Sequence, residues 1–162
     1  MLTSLFSRPC SYALRAVTYL AAQPQGKLTG KKEVAQRESI PSAFLSKVLL
    51  SLCHNHVLRS RKGLRGGYEL AVPAEQISLL TVVRAVSGEP FQDCLLEERQ
   101  CSSTHPCELH DSWAVVRGQL LEYFETLTAA DLVRLRRHED SGSDLGSASG
   151  VAQTVRPTER GE

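Results

Sequence analysis

Three cysteines and a histidine lie close together in the second half of the chain, at Cys94, Cys101, Cys107 and His110. Thiolates bind soft metals and iron–sulfur clusters, and imidazole is an accepted substitute, so these four side chains are enough for one four-ligand site. The residues between them are mostly polar, which argues against the alternative that the thiols are small buried hydrophobes. The pattern predicts a metal or cluster site.

The spacing of the ligands favours a cluster over a single ion. Six, five and two residues separate the successive ligands, whereas zinc sites usually use short paired knuckles. Zinc stays open as the alternative. Pro106 suits the first turn of a helix, so Cys107 and His110 are expected to share one helix face, where the helix dipole favours the Cys107 thiolate.

Composition indicates one domain of ordinary size, because the chain has 162 residues of which 41% are hydrophobic. The sequence has no apolar run of about 18 residues and no signal-peptide pattern at its start, so we expect a cytoplasmic protein with no membrane partner. In a reducing compartment, five cysteines favour metal or redox use over a disulfide framework.

Charge is unevenly distributed along the chain. Residues 31–65 contain eight Lys or Arg and two Glu, a net charge of +6, whereas residues 89–111 carry six acidic residues and one Arg, a net charge of −5. The basic segment indicates a polyanion partner, and the acidic segment offsets the charge of a metal centre or is solvated surface.

The basic segment also has the pattern of a helix-turn-helix. Helices are predicted over residues 10–22, about 31–38 and about 41–54, the last with Phe44, Leu45, Val48, Leu49 and Leu52 on its inner face. Small residues remain on its outer face as candidates for base contacts, and a lysine beside them is expected to contact phosphates or the minor groove: Ser42, Ala43, Ser46 and Lys47.

A basic hairpin follows the third helix. Strands are predicted over residues 57–60 and 68–71, joined by a glycine-rich turn. A hairpin directly after such a helix is the layout of a winged helix, whose wing contacts phosphates or the minor groove. The candidate contacts on the wing are Arg61, Lys62 and Arg65. The predicted fold is therefore mainly α with a small β-hairpin wing.

Three further helices are predicted after the wing. Ser78 caps a helix over 79–86 that ends before Gly88, a longer helix covers about 106–126, and Thr128 caps a last helix over 129–137. The long helix carries an apolar stripe that predicts a homodimer interface: Trp113, Val116, Leu120, Tyr123 and Leu127. The predicted organisation is a winged-helix domain over 1–88, a cluster loop over 89–107, two helices over 106–138 and a disordered tail over 139–162.

With these pieces in order, the chain resembles the IscR, NsrR and RirA family of bacterial winged-helix regulators over about residues 8–135. The resemblance is carried by the opening helix at 11–16, the start of the third helix at 40–45, the wing at 63–70, the run at 82–88 and the three cysteines. It implies a DNA-binding transcription regulator, expected to be a repressor, that binds a partly palindromic operator as a homodimer.

The resemblance also implies an iron–sulfur cluster that senses iron, redox or nitric oxide status through Cys94, Cys101 and Cys107. His110 matches the fourth ligand of IscR-type members, whereas the long gap after Cys94 is nearer the NsrR pattern. A 2Fe-2S cluster is favoured and a 4Fe-4S cluster stays open.

Two positions depart from the family pattern. Ser46 stands where IscR-type members can carry a Glu that tunes site choice, and Lys62 stands where an Arg is common, which weakens groove-specific contact because Lys has no planar fork. The alternative function is a winged-helix regulator that uses zinc or direct thiol oxidation. A small enzyme is disfavoured, because the sequence shows neither a phosphate-binding loop nor a nucleophile and base arrangement.

Overall fold

The computed structural model describes residues 7–63, 65–97 and 99–142, with side chains as far as His138. This part of the chain contains six α-helices and one two-stranded antiparallel sheet, so the prediction of a mainly α fold with a small hairpin is confirmed. The elements are α1 Arg8–Ala21, α2 Lys31–Arg37, α3 Ser42–His54, β1 Leu58–Arg61, β2 Gly67–Leu70, α4 Leu79–Ser87, α5 His110–Thr126 and α6 Ala129–Gly142. None of the described helices is long and apolar enough to cross a membrane.

The core lies between α1, α3 and α4. Helix α1 buries Ala13, Ala16, Val17 and Leu20, the face that its periodicity predicts. Small residues on this face let α3 and α4 pack closely against α1, and both helices do so. This arrangement fixes the orientation of α3, whose opposite face is left for a partner.

Helix α3 buries Leu45, Val48, Leu49 and Leu52, as predicted. The prediction that Phe44 also lies on the inner face is wrong, because its side chain is 57% exposed. Successive helical residues are about 100° apart, which puts Phe44 at the edge of the buried stripe. There its ring lies against that of Tyr12, with the ring centroids 6.4 Å apart.

The hairpin pairs Leu58 with Leu70 and Arg61 with Gly67. Thr29 adds a third short segment to it through two backbone hydrogen bonds with Tyr68, of 3.0 and 2.9 Å. A Cβ atom at Gly67 would lie 2.7 Å from the carbonyl oxygen of Thr29. The close approach therefore requires glycine at this position, and it seats the hairpin against the chain that leads into α2.

The predicted caps of the later helices are confirmed. The hydroxyl of Ser78 accepts the backbone N–H of Thr81 at 3.2 Å, and Gly88 ends α4 with a φ of +73°. The hydroxyl of Thr128 accepts the N–H of Asp131 at 3.3 Å, and the Asp131 carboxylate accepts the N–H of Thr128 at 2.9 Å, which is a reciprocal cap.

Two boundaries differ from the sequence prediction by more than two residues. Helix α5 begins at His110 and not near Pro106, and residues 108–109 just before it form a turn. Helix α6 continues to Gly142, so the first residues of the predicted disordered tail are helical, while residues 143–162 lie outside the described residues.

Glu38, at the end of α2, connects helix α6 to helix α1. Its buried carboxylate accepts hydrogen bonds of 2.8 and 3.2 Å from the two terminal nitrogens of the Arg136 guanidinium on α6. Arg15 on α1 approaches the same carboxylate to 3.5 Å. Because the Glu38 side chain is only 7% exposed, this network holds α6 against α1 and the end of α2.

We predict that Glu38→Gln lowers the free energy of unfolding by about 1–3 kcal/mol, because it removes the negative charge that two part-buried guanidinium groups share. Chemical denaturation at fixed protein concentration measures this change. Glu89→Gln is the matched control, since Arg84 contacts Glu89 in the same two-point geometry, at 2.8 Å for each bond, on the exposed surface. The control should lose less than about 1 kcal/mol, and equal losses in both variants would contradict the role given to Glu38.

Candidate functional site

The loop between α4 and α5 contains a small hairpin that positions two of the cysteines. The backbone N–H of Cys94 donates to the carbonyl of Arg99 at 2.8 Å, and the N–H of Cys101 donates to the carbonyl of Gln92 at 2.7 Å. The loop thus holds Cys94 and Cys101 through its own backbone. Cys107 lies in the turn just before α5, where its carbonyl accepts the N–H of His110 at 3.0 Å.

The four predicted ligands lie as two pairs of neighbouring side chains, called donor pairs here because their S and N atoms can donate electrons to a metal. The Sγ atoms of Cys94 and Cys107 lie 3.4 Å apart, and the Sγ of Cys101 lies 3.2 Å from Nδ1 of His110. All four side chains are half-buried. In the described part of the chain no group of three or more His, Cys, Asp or Glu side chains surrounds one point closely enough to hold a single ion.

The thiols of the first pair differ in acidity. A hydrogen bond from the backbone N–H of Leu96 lowers the pKa of the Cys94 thiol, and contact with Cys107 lowers it further. The neighbouring Cys94 raises the pKa of the Cys107 thiol. The expectation that Cys107 lies at a helix N-terminus that favours its thiolate is wrong, because α5 starts three residues later and contact with Cys94 raises the Cys107 pKa.

Arg99 is a functional candidate that the sequence prediction missed. Its guanidinium forms an ion pair with Glu97, which is the main cause of a raised pKa at Arg99, and the charges of Cys94 and Cys107 contribute to the same shift. A cation thus lies within electrostatic range of the first donor pair. The sequence does contain a signal for this role, because Arg99 is the one Lys or Arg within the acidic stretch 89–111.

The outer face of α3 carries the residues predicted to contact bases. Ser42, Ala43 and Lys47 are exposed, while Ser46 is half-buried. The hydroxyl of Ser46 donates to the carbonyl of Ser42 at 2.9 Å and accepts from the ammonium of Lys31, also at 2.9 Å. Leu50, which the sequence prediction did not single out, extends this face and is 71% exposed.

The hairpin tip carries the second set of predicted contacts. Arg61, Lys62 and Arg65 are all exposed. Arg61 lies 3.5 Å from Glu69, a surface pair of little energetic weight. The tip therefore presents three cations to solvent on the hairpin that follows α3.

Helix α5 presents only part of its predicted dimer seam. Val116 and Tyr123 are exposed, Leu120 and Leu127 are half-buried, and Trp113 is buried against its own chain. The indole N–H of Trp113 has no hydrogen-bond partner among the described residues. An apolar groove of about 630 Å³ runs between α1, α5 and α6, lined in part by Leu14, Phe124, Leu132 and Leu135.

Helix α4 connects the thiol loop to α3. The carbonyl of Ala85 near its end accepts hydrogen bonds from the hydroxyl of Ser51 at 2.5 Å and from the side-chain amide of Asn55 at 3.2 Å. The hydroxyl of Ser87 lies 2.9 Å from the Cys10 sulfur. The last turn of α4 is thus bonded to both α1 and α3, immediately before the loop that holds the cysteines.

A helix-turn-helix followed by a basic hairpin defines a winged-helix DNA-binding protein, and this one carries a thiol-rich loop and a long helix after the DNA-binding part. The family description that matches residues 6–135 is "Rrf2: Iron-dependent Transcriptional regulator". The chain belongs to the Rrf2 family, and it is a transcriptional regulator and not an enzyme.

Similar proteins agree with this assignment. A protein of Aquifex aeolicus named as an HTH-type transcriptional regulator is 32% identical over 134 residues, which are 81% of this chain and 92% of that protein. The structure of CymR (YrzC), the global cysteine regulator of B. subtilis, has a TM-score of 0.69 at 21% identity and covers 83% of this chain and 98% of its own. IscR of T. potens has a TM-score of 0.65 at 22% identity, with 86% and 92% covered. The two structures show the same fold.

Proposed function

We propose that this regulator is a homodimeric repressor whose DNA affinity is switched by an iron–sulfur cluster bound at Cys94, Cys101, Cys107 and His110. The observation that carries the proposal is the arrangement of these four side chains as two donor pairs. The family description, which names an iron-dependent regulator, supports iron as the metal.

The donor pairs fit a 2Fe-2S cluster better than a single ion. Such a cluster has two irons, each held by two protein ligands, and one iron can accept histidine in place of cysteine. Cys94 with Cys107 would supply one pair of ligands, and Cys101 with His110 would supply the other. A zinc ion needs its ligands around one point, an arrangement that the described residues do not form.

A bound cluster supplies a redox-active centre whose presence depends on iron and oxidants. Hydrogen bonds and loop segments of the chain itself connect this site to the DNA-contacting helix α3. The loop hairpin holds two of the candidate ligands, and the segment from Pro106 to His110 holds the other two. A cluster held by all four would tie the loop that follows α4 to the start of α5. Because Ala85 in α4 is bonded to Ser51 and Asn55 in α3, the position of α4 bears on the position of the DNA-contacting helix.

The second copy required for a two-fold operator is proposed to pack on α5 and the groove beside it. Val115, Val116 and Tyr123 are 63%, 45% and 57% exposed, and they lie on the helix that borders the apolar groove. Exposed apolar surface of this kind is typical of an interface between copies. The dimer would place two copies of α3 in successive major grooves, so the operator is expected to be a partial palindrome with half-sites about 10 bp apart or a multiple of that.

We predict that Cys94→Ala, Cys101→Ala and Cys107→Ala each lose stable cluster binding, whereas His110→Ala weakens it less because water or a carboxylate can replace one imidazole. Anaerobic purification followed by absorbance spectroscopy and by iron and sulfide analysis tests this. Cys53→Ala is the matched control, because the Cys53 side chain packs against the core and contacts Ser60 of the hairpin. This variant should bind the cluster as the wild-type protein does. Zinc without sulfide in the wild-type protein, or full cluster occupancy in the three loop variants, would contradict the proposal.

The proposed DNA contacts divide into two kinds. Ser42, Ala43 and Ser46 lie on the face of α3 that is turned toward base edges, and Lys47 and the hairpin cations Arg61, Lys62 and Arg65 meet phosphates or the minor groove. Base contacts set sequence preference, whereas phosphate contacts add affinity for any sequence and make it depend on salt.

We predict that Arg65→Ala weakens binding to all duplexes and lowers the slope of log affinity against log salt by about one unit for each hairpin that contacts a phosphate. Titrations of specific and unrelated duplexes at several salt concentrations measure both effects. Arg134→Ala, which removes the same charge from α6, should leave the slope unchanged. A change of sequence preference at Arg65→Ala with an unchanged slope would mean that the hairpin does not contact the DNA backbone.

Direct thiol oxidation is a second candidate, and the Sγ–Sγ distance of 3.4 Å between Cys94 and Cys107 favours it. The Cys94 thiolate would attack one oxygen of a peroxide, so that the S–O bond forms, the O–O bond breaks and hydroxide leaves as water after taking up a proton. The Cys107 sulfur would then attack the Cys94 sulfur, the S–O bond would break and a second water would leave. Two thiols and one hydrogen peroxide thus give one disulfide and two waters.

If this candidate operates, hydrogen peroxide should link Cys94 to Cys107 in the metal-free reduced protein, while Cys101 stays outside the disulfide. Peptide mass mapping before and after reduction identifies the linked pair. Cys101→Ala should form the same disulfide, and Cys107→Ala should stop at a sulfenic acid on Cys94. A disulfide that contains Cys101 in the wild-type protein would exclude this pairing.

A further inference from the structure

Lys31 and Ser46 connect the two helices of the helix-turn-helix on their outer side. Lys31 is the first residue of α2, and Ser46 lies in the second turn of α3. The ammonium nitrogen of Lys31 donates a hydrogen bond of 2.9 Å to the Ser46 hydroxyl. A cation from α2 is therefore held over the face of α3 that the proposed function directs at DNA bases.

The hydrogen bonds of Ser46 leave it a poor base reader. A serine hydroxyl has one proton to donate, and that proton is used toward the carbonyl of Ser42 at 2.9 Å. One of its acceptor sites is occupied by Lys31. Because its donor is already engaged, Ser46 serves to position the ammonium group more than to contact a base.

The ammonium group of Lys31 keeps donors for a ligand. It has three N–H donors, of which Ser46 takes one. Within residues 7–63, 65–97 and 99–138, no carboxylate forms an ion pair with it. Ala43 is small and leaves space on the same face. Two N–H donors of Lys31 therefore remain for a ligand of this surface.

We infer that Lys31 is a specificity-determining residue that recognises a guanine in each half-site. The inference rests on the proposed entry of α3 into the major groove. Guanine is the base that presents two acceptors, N7 and O6, at its major-groove edge, and Lys is one of the side chains that bind this edge. The tether to Ser46 draws the ammonium toward the helix face and the base edges, and away from the phosphates at the groove margin.

The test is selection of duplexes from a randomised DNA pool with the full-length wild-type protein, Lys31→Met and Lys32→Met. Methionine keeps a long unbranched side chain but removes the charge and the donors. Lys32 is the exposed neighbour on α2, so Lys32→Met is matched in charge and chemistry. Thermal melting of each variant shows that it is folded.

Wild type and Lys32→Met should select the same motif, with one guanine in each half-site that Lys31→Met no longer requires. Discrimination against a substituted base at that position should fall from on the order of tenfold to none. Ser46→Ala keeps the ammonium but removes its anchor, so it should weaken the guanine preference while the rest of the motif stays. This second variant keeps the test informative should Lys31→Met melt early.

Two results would overturn the inference while leaving the proposed function intact. A uniform loss of affinity for all sequences, with a smaller salt slope, would make Lys31 a phosphate contact. An unchanged motif and unchanged affinity in Lys31→Met would make the Lys31–Ser46 bond a structural link only. If wild type selects no motif and binds no duplex, the proposed DNA contact by α3 itself fails, and the inference with it.

Discussion

The buried carboxylate of Glu38 is the constraint on which the arrangement of the helices depends. It stands at the end of α2, just before the turn into α3, where Ser39 adopts a φ of +50°. Arg136 reaches this carboxylate from α6, across 98 positions of the sequence. A buried carboxylate needs such partners to be stable, so docking of α6 beside the helix-turn-helix stabilises the turn at Glu38. This contact couples the last helix to the DNA-binding part.

A second physical connection runs through α4. Its last turn is bonded to α3 through Ala85 and to α1 through Ser87, and the thiol loop begins directly after it. Packed helices move as bodies and do not deform continuously. In the proposed function, a ligand that orders the loop would therefore shift α4 as a rigid helix, and α4 already contacts α3. The network at Glu38 is a separate connection, from α6 to the turn between α2 and α3.

Most of the fold was predictable from the sequence because hydrophobic periodicity and capping residues are local signals. Leu45, Leu49 and Leu52 specify the inner face of α3, and Ser78 and Thr128 specify helix starts. The predicted burial of Phe44 is wrong because a helical residue at the edge of an apolar stripe is buried or exposed according to its neighbours in space. The predicted start of α5 at Pro106 is wrong because proline is compatible with the first turn of a helix but does not start one by itself. The ligand set of the candidate site was visible in residue types and spacing. Its division into pairs, the role of Arg99 and the bond from Lys31 to Ser46 depend on the path of the loop and on helix packing, which residue types and spacing do not determine.

The two proposed uses of the thiol loop compete for the same atoms. Cys94 and Cys107 form one donor pair of the proposed cluster, and they are also the pair whose sulfurs are close enough for a disulfide. A thiolate bound to iron is not free to attack a peroxide, so a bound cluster protects the pair from oxidation. Loss of iron would release both thiols together, 3.4 Å apart. In these proposals the reduced metal-free state is the branch point between rebuilding the cluster and forming the disulfide, and the relative supply of iron and oxidant would decide between them.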